Sequence, residues 1–130
     1  MLVLDENLPA SQRRLLRNWR IRFRVVGADV AAPGTKDENL IPVLHRLPRP
    51  TFFSLDRNFY RPDWAHAEYG LIWLDVRGRD AAAFIRRFLQ HPAFDTQAKR
   101  MGVVARVRAD GVVWWRVGKR LAESTSWLQE

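Results

Sequence analysis

Cysteine is absent from this chain of 130 residues, which excludes disulfides and thiolate-bound metals. Lysine is scarce as well, with three lysines beside nineteen arginines. No apolar run approaches the length of a membrane span, and Met1 leads straight into Leu2-Val3-Leu4-Asp5 without a basic start or cleavage site. The expectation is a cytoplasmic protein with no membrane contact. Repeats, low-complexity stretches and domain linkers are also missing, so one domain is expected, over residues 1–118, with residues 119–130 as a C-terminal tail. What is present fits that size. Hydrophobic residues make up 47% of the chain, enough for a packed core without staples. The net charge is +8 and is carried mostly by arginine, which pairs bidentately with phosphate and favours polyanionic partners. Genome composition and plain solubility account for the same balance.

Periodicity alternates along the chain. Leu2 to Leu4 is a short apolar run closed by Asp5-Glu6-Asn7, which reads as a buried strand. Pro9 opens a helix with Leu8, Leu15, Leu16 and Trp19 on its inner face and Arg13, Arg17 and Arg20 on an outer stripe. Phe23 to Val26 is a second strand, ended by Gly27. A second helix starts between Thr35 and Leu40: Thr35-x-x-Glu38 resembles a capping box, whereas a start at Asn39 places Pro42 in the first turn. Thr51 to Leu55 and Leu71 to Leu74 are further strands. Ala81 to Gln90 is a helix that turns Phe84, Ile85, Phe88 and Leu89 inward. Gly102 to Arg108 and Val112 to Val117 form a hairpin around Asp110-Gly111. After Lys119 a weakly ordered tail is expected, with Trp127 and Leu128 able to dock. The alternation indicates an α/β fold: a mostly parallel open sheet with helices on both faces and a C-terminal β-hairpin.

In such sheets, sites form beyond the carboxyl ends of the strands where the strand order reverses. A spatial order of second, first, third, fourth, fifth strand puts that reversal between the first and third, whose ends carry Asp5 and Asp56. Adjacent carboxylates repel unless a cation or proton sits between them. Hard oxygen donors suit Mg²⁺ or Mn²⁺, and a divalent metal beside a polyanion points to phosphodiester hydrolysis.

Three segments then form a pattern: Leu4-Asp5-Glu6-Asn7-Leu8-Pro9, Thr35-Lys36-Asp37-Glu38, and Ser54-Leu55-Asp56-Arg57-Asn58-Phe59. Together they resemble small PIN-like domains, the compact branch that includes VapC-type toxins, from Leu2 to about Val76 and loosely through the hairpin. The resemblance implies a metal-dependent endoribonuclease, the toxin of a toxin–antitoxin pair, with Mg²⁺ or Mn²⁺ on an acidic cluster. RNA would be the substrate, with a cognate antitoxin protein and a second copy of the chain as possible partners. Matched by position, Asp5, Asp37 and Asp56 are the catalytic and metal-binding acids, with Glu38 adjacent to the second. Asn58 is the fourth catalytic position of the match and stands where the family carries an acid. It can offer a carbonyl oxygen or hold a water, but one negative charge is lost; Asp63 compensates if a turn folds it back.

Each position has a plainer role as well. Asp5 caps a turn, Asp37 supplies charge to a helix N-terminus, Asn58 makes an Asx turn, and Asn7 orients a carboxylate or belongs to a turn. His45, His66 and His91 lack metal-like spacing and read as surface or helix-end residues. Asp29 suits a strand-end turn. Trp19 and Trp73 read as core, and Trp114-Trp115 places one ring on each face of a strand. Two alternative functions follow: a catalytically attenuated nucleic-acid-binding module that kept the fold and lost the chemistry, and a protein-interaction component.

Overall fold

A computed structural model describes residues 1–127. Its strands are β1 (Leu2–Leu4), β2 (Arg24–Val25), β3 (Thr51–Ser54), β4 (Gly70–Leu74), β5 (Val103–Val107), β6 (Gly111–Arg116) and β7 (Glu123–Ser126). Its helices are α1 (Ala10–Asn18), α2 (Asp37–Arg46), α3 (Ala81–Gln90) and a single turn, α4 (Gln97–Arg100). All seven strands form one sheet in the order β2-β1-β3-β4-β5-β6-β7. Pairing is parallel from β2 through β5 and antiparallel from β5 through β7. The order reverses between β1 and β3, where the alternation of strands and helices places it. No helix among the described residues is long and apolar enough to cross a membrane.

The two-residue period of the strands divides the core into two layers. Leu4, Phe53, Ile72 and Ala105 point to one face and pack with Leu16, Ile85 and Phe88 of α1 and α3. Val3, Phe52, Leu71 and Val104 point to the other and pack with Leu40 and Leu44 of α2. All four residues of β3 are buried, as an interior strand of a sheet covered on both faces requires.

Several details differ from the sequence expectation. Leu15 is 38% exposed, and the inner position next to Leu16 is taken by Gln12, whose Oε1 accepts the Ala82 N–H at 2.9 Å and so caps the start of α3. Helix α2 begins at Asp37, between the two expected starts. Lys36 is its cap residue, and the Thr35 hydroxyl donates to Ala32 O at 2.6 Å instead of forming a capping box. Pro42 therefore lies inside the helix, on its exposed side.

The β5–β6 turn falls on Ala109-Asp110, with Arg108 N–H bonded to Gly111 O at 2.8 Å. Gly111 opens β6, and a side chain there would run into the Thr125 carbonyl of β7. Residues 119–130 are accordingly no loose tail throughout: Glu123–Ser126 is the seventh strand. Trp127 docks, donating Nε1–H to Arg108 O at 2.7 Å and lying beside Phe84 and His91. Leu128 lies outside the described residues. Trp114 is buried against Phe94, whereas Trp115 is half-buried on the opposite face.

Candidate functional site

The site starts from the register of β1 on β3. Leu4 pairs with Phe53, and the Asp5 N–H continues the ladder to Phe53 O at 2.9 Å. Asp5 is therefore the first residue past the strand and stands beside Ser54. The Ser54 hydroxyl donates to Asp5 Oδ2 at 2.6 Å, and the Glu6 N–H donates to Oδ1 at 2.8 Å. Ser54 Oγ in turn accepts the Asp56 N–H at 2.9 Å and the Asn7 amide at 3.2 Å, while Asn7 Oδ1 accepts the Leu55 N–H at 3.3 Å. One hydroxyl thus ties the ends of two strands together. Asp5 is only 8% exposed, so its rotamer is set by this network.

Asp56 caps a 3₁₀ turn over Arg57–Phe59, with Oδ1 accepting the Asn58 N–H at 2.9 Å. Asp37 arrives from the first turn of α2. Its carboxylate lies within electrostatic reach of the Asn58 amide, which favours its charge, and of the Asp56 carboxyl, which opposes it. Burial raises the Asp37 pKa most, and the charges of Asp56 and Glu38 add to it. Asp5 is also pushed up, chiefly by burial and further by Asp37 and Glu6, against the opposing hydrogen bonds from Ser54 and Glu6 N–H. Residues far apart in sequence therefore share one electrostatic neighbourhood that favours taking up a positive charge, whether proton or metal.

In front of the cluster lies a cleft of about 410 Å³ bordered by Asp37, Glu38, Arg57, Asn58, Arg61 and Trp64. Arg61 stacks on the Trp64 ring at 4.3 Å and pairs with Asp63 at 3.0 Å. Asp63 is thus engaged with Arg61 and does not replace the acid missing at Asn58. Glu6 faces the other way and accepts the Gly34 N–H at 3.0 Å, holding the loop after β2. Asp29 takes the strand-end role expected of it, accepting the Val25 N–H at 2.9 Å.

All-oxygen donors from Asp5, Asp37 and Asp56 fit Mg²⁺ or Mn²⁺ chemically, and the raised pKa values of Asp5 and Asp37 are those of carboxylates that a nearby cation would stabilise. Their ligand atoms do not all lie within 4.8 Å of one another, however, as repulsion between like charges dictates when no cation is between them. The trio of side chains whose ligand atoms already lie within 4.8 Å of one another, among the described residues, is His45, His66 and Glu68. Sequence spacing does not reveal this group, because His45 lies in the last turn of α2 while the other two precede β4; the His66-x-Glu68 pair is the available signal. His45 Nδ1 lies 3.4 Å from Glu68 Oε2. His66 Nδ1 accepts the Glu68 N–H at 3.1 Å, so that nitrogen's lone pair is already used. All three are exposed, and imidazole does not suit Mg²⁺.

No protein family, curated protein or solved structure matches this chain.

Proposed function

We propose that the chain is a cytoplasmic, metal-dependent endoribonuclease of PIN-like type, the toxin component of a toxin–antitoxin pair. The observation that carries this reading is that Asp37, at a helix start, lies within electrostatic reach of Asp5 and of Asp56 at two strand ends, and borders a cleft that also presents Arg57 and Arg61. Mg²⁺ or Mn²⁺, when bound, supplies an activated water and neutralises charge on the phosphate oxygens. The chain's own residues do the rest. Ser54 and the Glu6 N–H fix the Asp5 carboxylate, so that its orientation is set before any ligand arrives. Arg57 and Arg61 hold the phosphodiester at the mouth of the cleft, and the Trp64 face keeps the Arg61 guanidinium flat and aimed. Asn58 brings a neutral amide to the cleft beside Asp37 where a fourth carboxylate would add charge, which lowers cation affinity. An antitoxin protein and a second copy of the chain are the partners that belong to this reading.

The test is cleavage of a mixed RNA pool across a metal titration. Wild type is expected to cleave modestly, to need metal on the order of millimolar, as weak hard-cation sites do, and to prefer Mn²⁺. Asp56→Ala abolishes the activity and Asn58→Asp raises it. If Asp56→Ala cleaves as well as wild type, the site assignment is wrong.

One observation favours a second reading. Asn58 brings an uncharged amide to the same cleft as Asp37, as in a nucleic-acid-binding module that has lost its chemistry. In that case wild type is inert at every metal concentration, and only Asn58→Asp gains activity.

A further inference from the structure

From Leu8 to Ala28 the chain carries six arginines and no acidic residue. Among the described residues none of the six joins an ion pair; the positive partners there are Arg61, Lys99, Arg106, Arg108 and His45. Four of the six, Arg17, Arg20, Arg22 and Arg24, line one groove of about 660 Å³ together with Ile21 and Phe23. The groove also includes Leu2, the first residue of β1, so it opens at the end of the strand opposite Asp5. Phe23 forms an aromatic wall, with the Arg17 guanidinium 5.1 Å from its ring centre.

Arg20 departs from the usual chemistry of its position. Helix α1 closes with Ile21 N–H bonded to Leu16 O at 3.0 Å and Arg20 N–H to Arg17 O at 2.9 Å. That pair of bonds defines a Schellman end, whose left-handed residue is most often glycine. Here it is Arg20, at φ 61°. A side chain in that conformation costs backbone energy, which the two Schellman bonds offset, while no hydrogen bond or ion pair among the described residues involves the Arg20 guanidinium.

We infer that this groove is a docking surface for single-stranded RNA, separate from the carboxylate cleft. Four guanidinium forks with no carboxylate partner among the described residues match phosphate oxygens bidentately, and an aromatic wall beside a basic track is how single strands are held without sequence preference. The inference deepens the nuclease reading by giving the substrate a second foothold, about one three-residue strand, roughly 10 Å, from the acids. It does not need the chemistry to work.

The experiment is fluorescence anisotropy of a labelled oligouridylate in EDTA across a salt titration, which keeps cleavage silent. Arg20→Gly/Arg22→Gln/Arg24→Gln is expected to weaken binding on the order of tenfold or more at low salt. The slope of log affinity against log salt falls by about 2, at about 0.7 for each single-strand phosphate that the variant no longer neutralises. Arg20→Gly alone weakens binding a few-fold while its melting temperature stays level or rises, since glycine adopts positive φ freely. A merely structural Arg20 would give a lower melting temperature with unchanged binding. Undiminished binding by the triple variant overturns the inference, as does absence of RNA binding by wild type. Displacement of RNA by polyglutamate at equal charge also overturns it, in favour of an acidic protein partner. The nuclease reading stands or falls separately, on whether wild type cleaves RNA when metal is supplied.

Discussion

The two ends of β1 are built on opposite principles. At its carboxyl end, charge of one sign is concentrated and held by hydrogen bonds: Ser54 Oγ alone joins Asp5, Asp56 and Asn7, and Asp5 is nearly buried. At its amino end, charge of the other sign sits in the open, with Arg17 set against an aromatic ring and, among the described residues, no carboxylate partner for any groove arginine. A buried network fixes geometry, which reaction chemistry needs; an open basic track tolerates a moving chain, which capture of a polymer needs. The comparison teaches that arginine count says little until the arginines are sorted by partner. Arg106 is bound to Asp75 at 2.7 Å, and Arg100 is buried with Thr51 Oγ1 and Phe94 O as its acceptors. Those serve the fold; the groove arginines do not.

The sharpest contrast between the two ends is in kinetics. Asp56→Ala is expected to lower kcat at least about 100-fold, the upper end of what losing a mere outer-sphere partner costs. The groove variants act mainly on KM. Steady-state cleavage of a labelled RNA separates the two, and a groove variant that lowers kcat as far as Asp56→Ala does would erase the distinction.

Next in size is Ser54→Ala. It removes a buried hydroxyl that donates to Asp5 and accepts from Asp56 and Asn7, leaving the Asp56 N–H without its acceptor. A loss of about 2 kcal/mol in denaturant unfolding is expected.

A smaller effect, of opposite sign, is expected at Asp37. Its pKa is raised in the fold, mainly by burial, so the ionised form is the less stable one there. The contribution of a raised carboxyl is fully present below the unfolded value, about 3.9, and is lost as pH rises through the folded one. Asp37→Asn is therefore more stable than wild type at neutral pH, by at most about 1 kcal/mol given its partial exposure. The advantage disappears near pH 4. Thermal melts in EDTA at the two pH values check the sign.

Smallest is Arg17→Ala, which gives up one partly exposed contact with Phe23 and costs no more than about 1 kcal/mol in denaturant unfolding. A larger loss would mean that the groove arginines hold the fold together after all.

Much of this is legible in the sequence where local pattern and topology agree. The strand order follows from the alternation of strands and helices, and it puts Asp5 and Asp56 at adjacent strand ends, where Ser54 bridges them. Asp37 is legible only through its motif, since nothing in periodicity brings a helix start to those ends. Gln12 escapes a pattern reading because a polar side chain reads as outward; its partner, the free N–H of Ala82, exists only once α1 lies against α3. Gly111 reads as a turn residue because Asp-Gly usually marks one, whereas the close approach of Thr125 is a contact no local rule contains. The tail is hidden for a similar reason. Glu-Ser-Thr-Ser has no apolar alternation, and it is ordered as an edge strand by pairing with β6. The His45–His66–Glu68 group is concealed by the 20 or so residues between its halves.

The central claim is that Asp5, Asp37 and Asp56 act as one cation site. Electron paramagnetic resonance of Mn²⁺ titrated into the protein tests it most directly, with wild type, Asp56→Ala and His45→Ala compared at neutral pH. The account predicts one bound Mn²⁺ in wild type, largely lost in Asp56→Ala, retained in His45→Ala and displaced by excess Mg²⁺. Equal Mn²⁺ binding by wild type and Asp56→Ala, or loss of binding in His45→Ala instead, would contradict it.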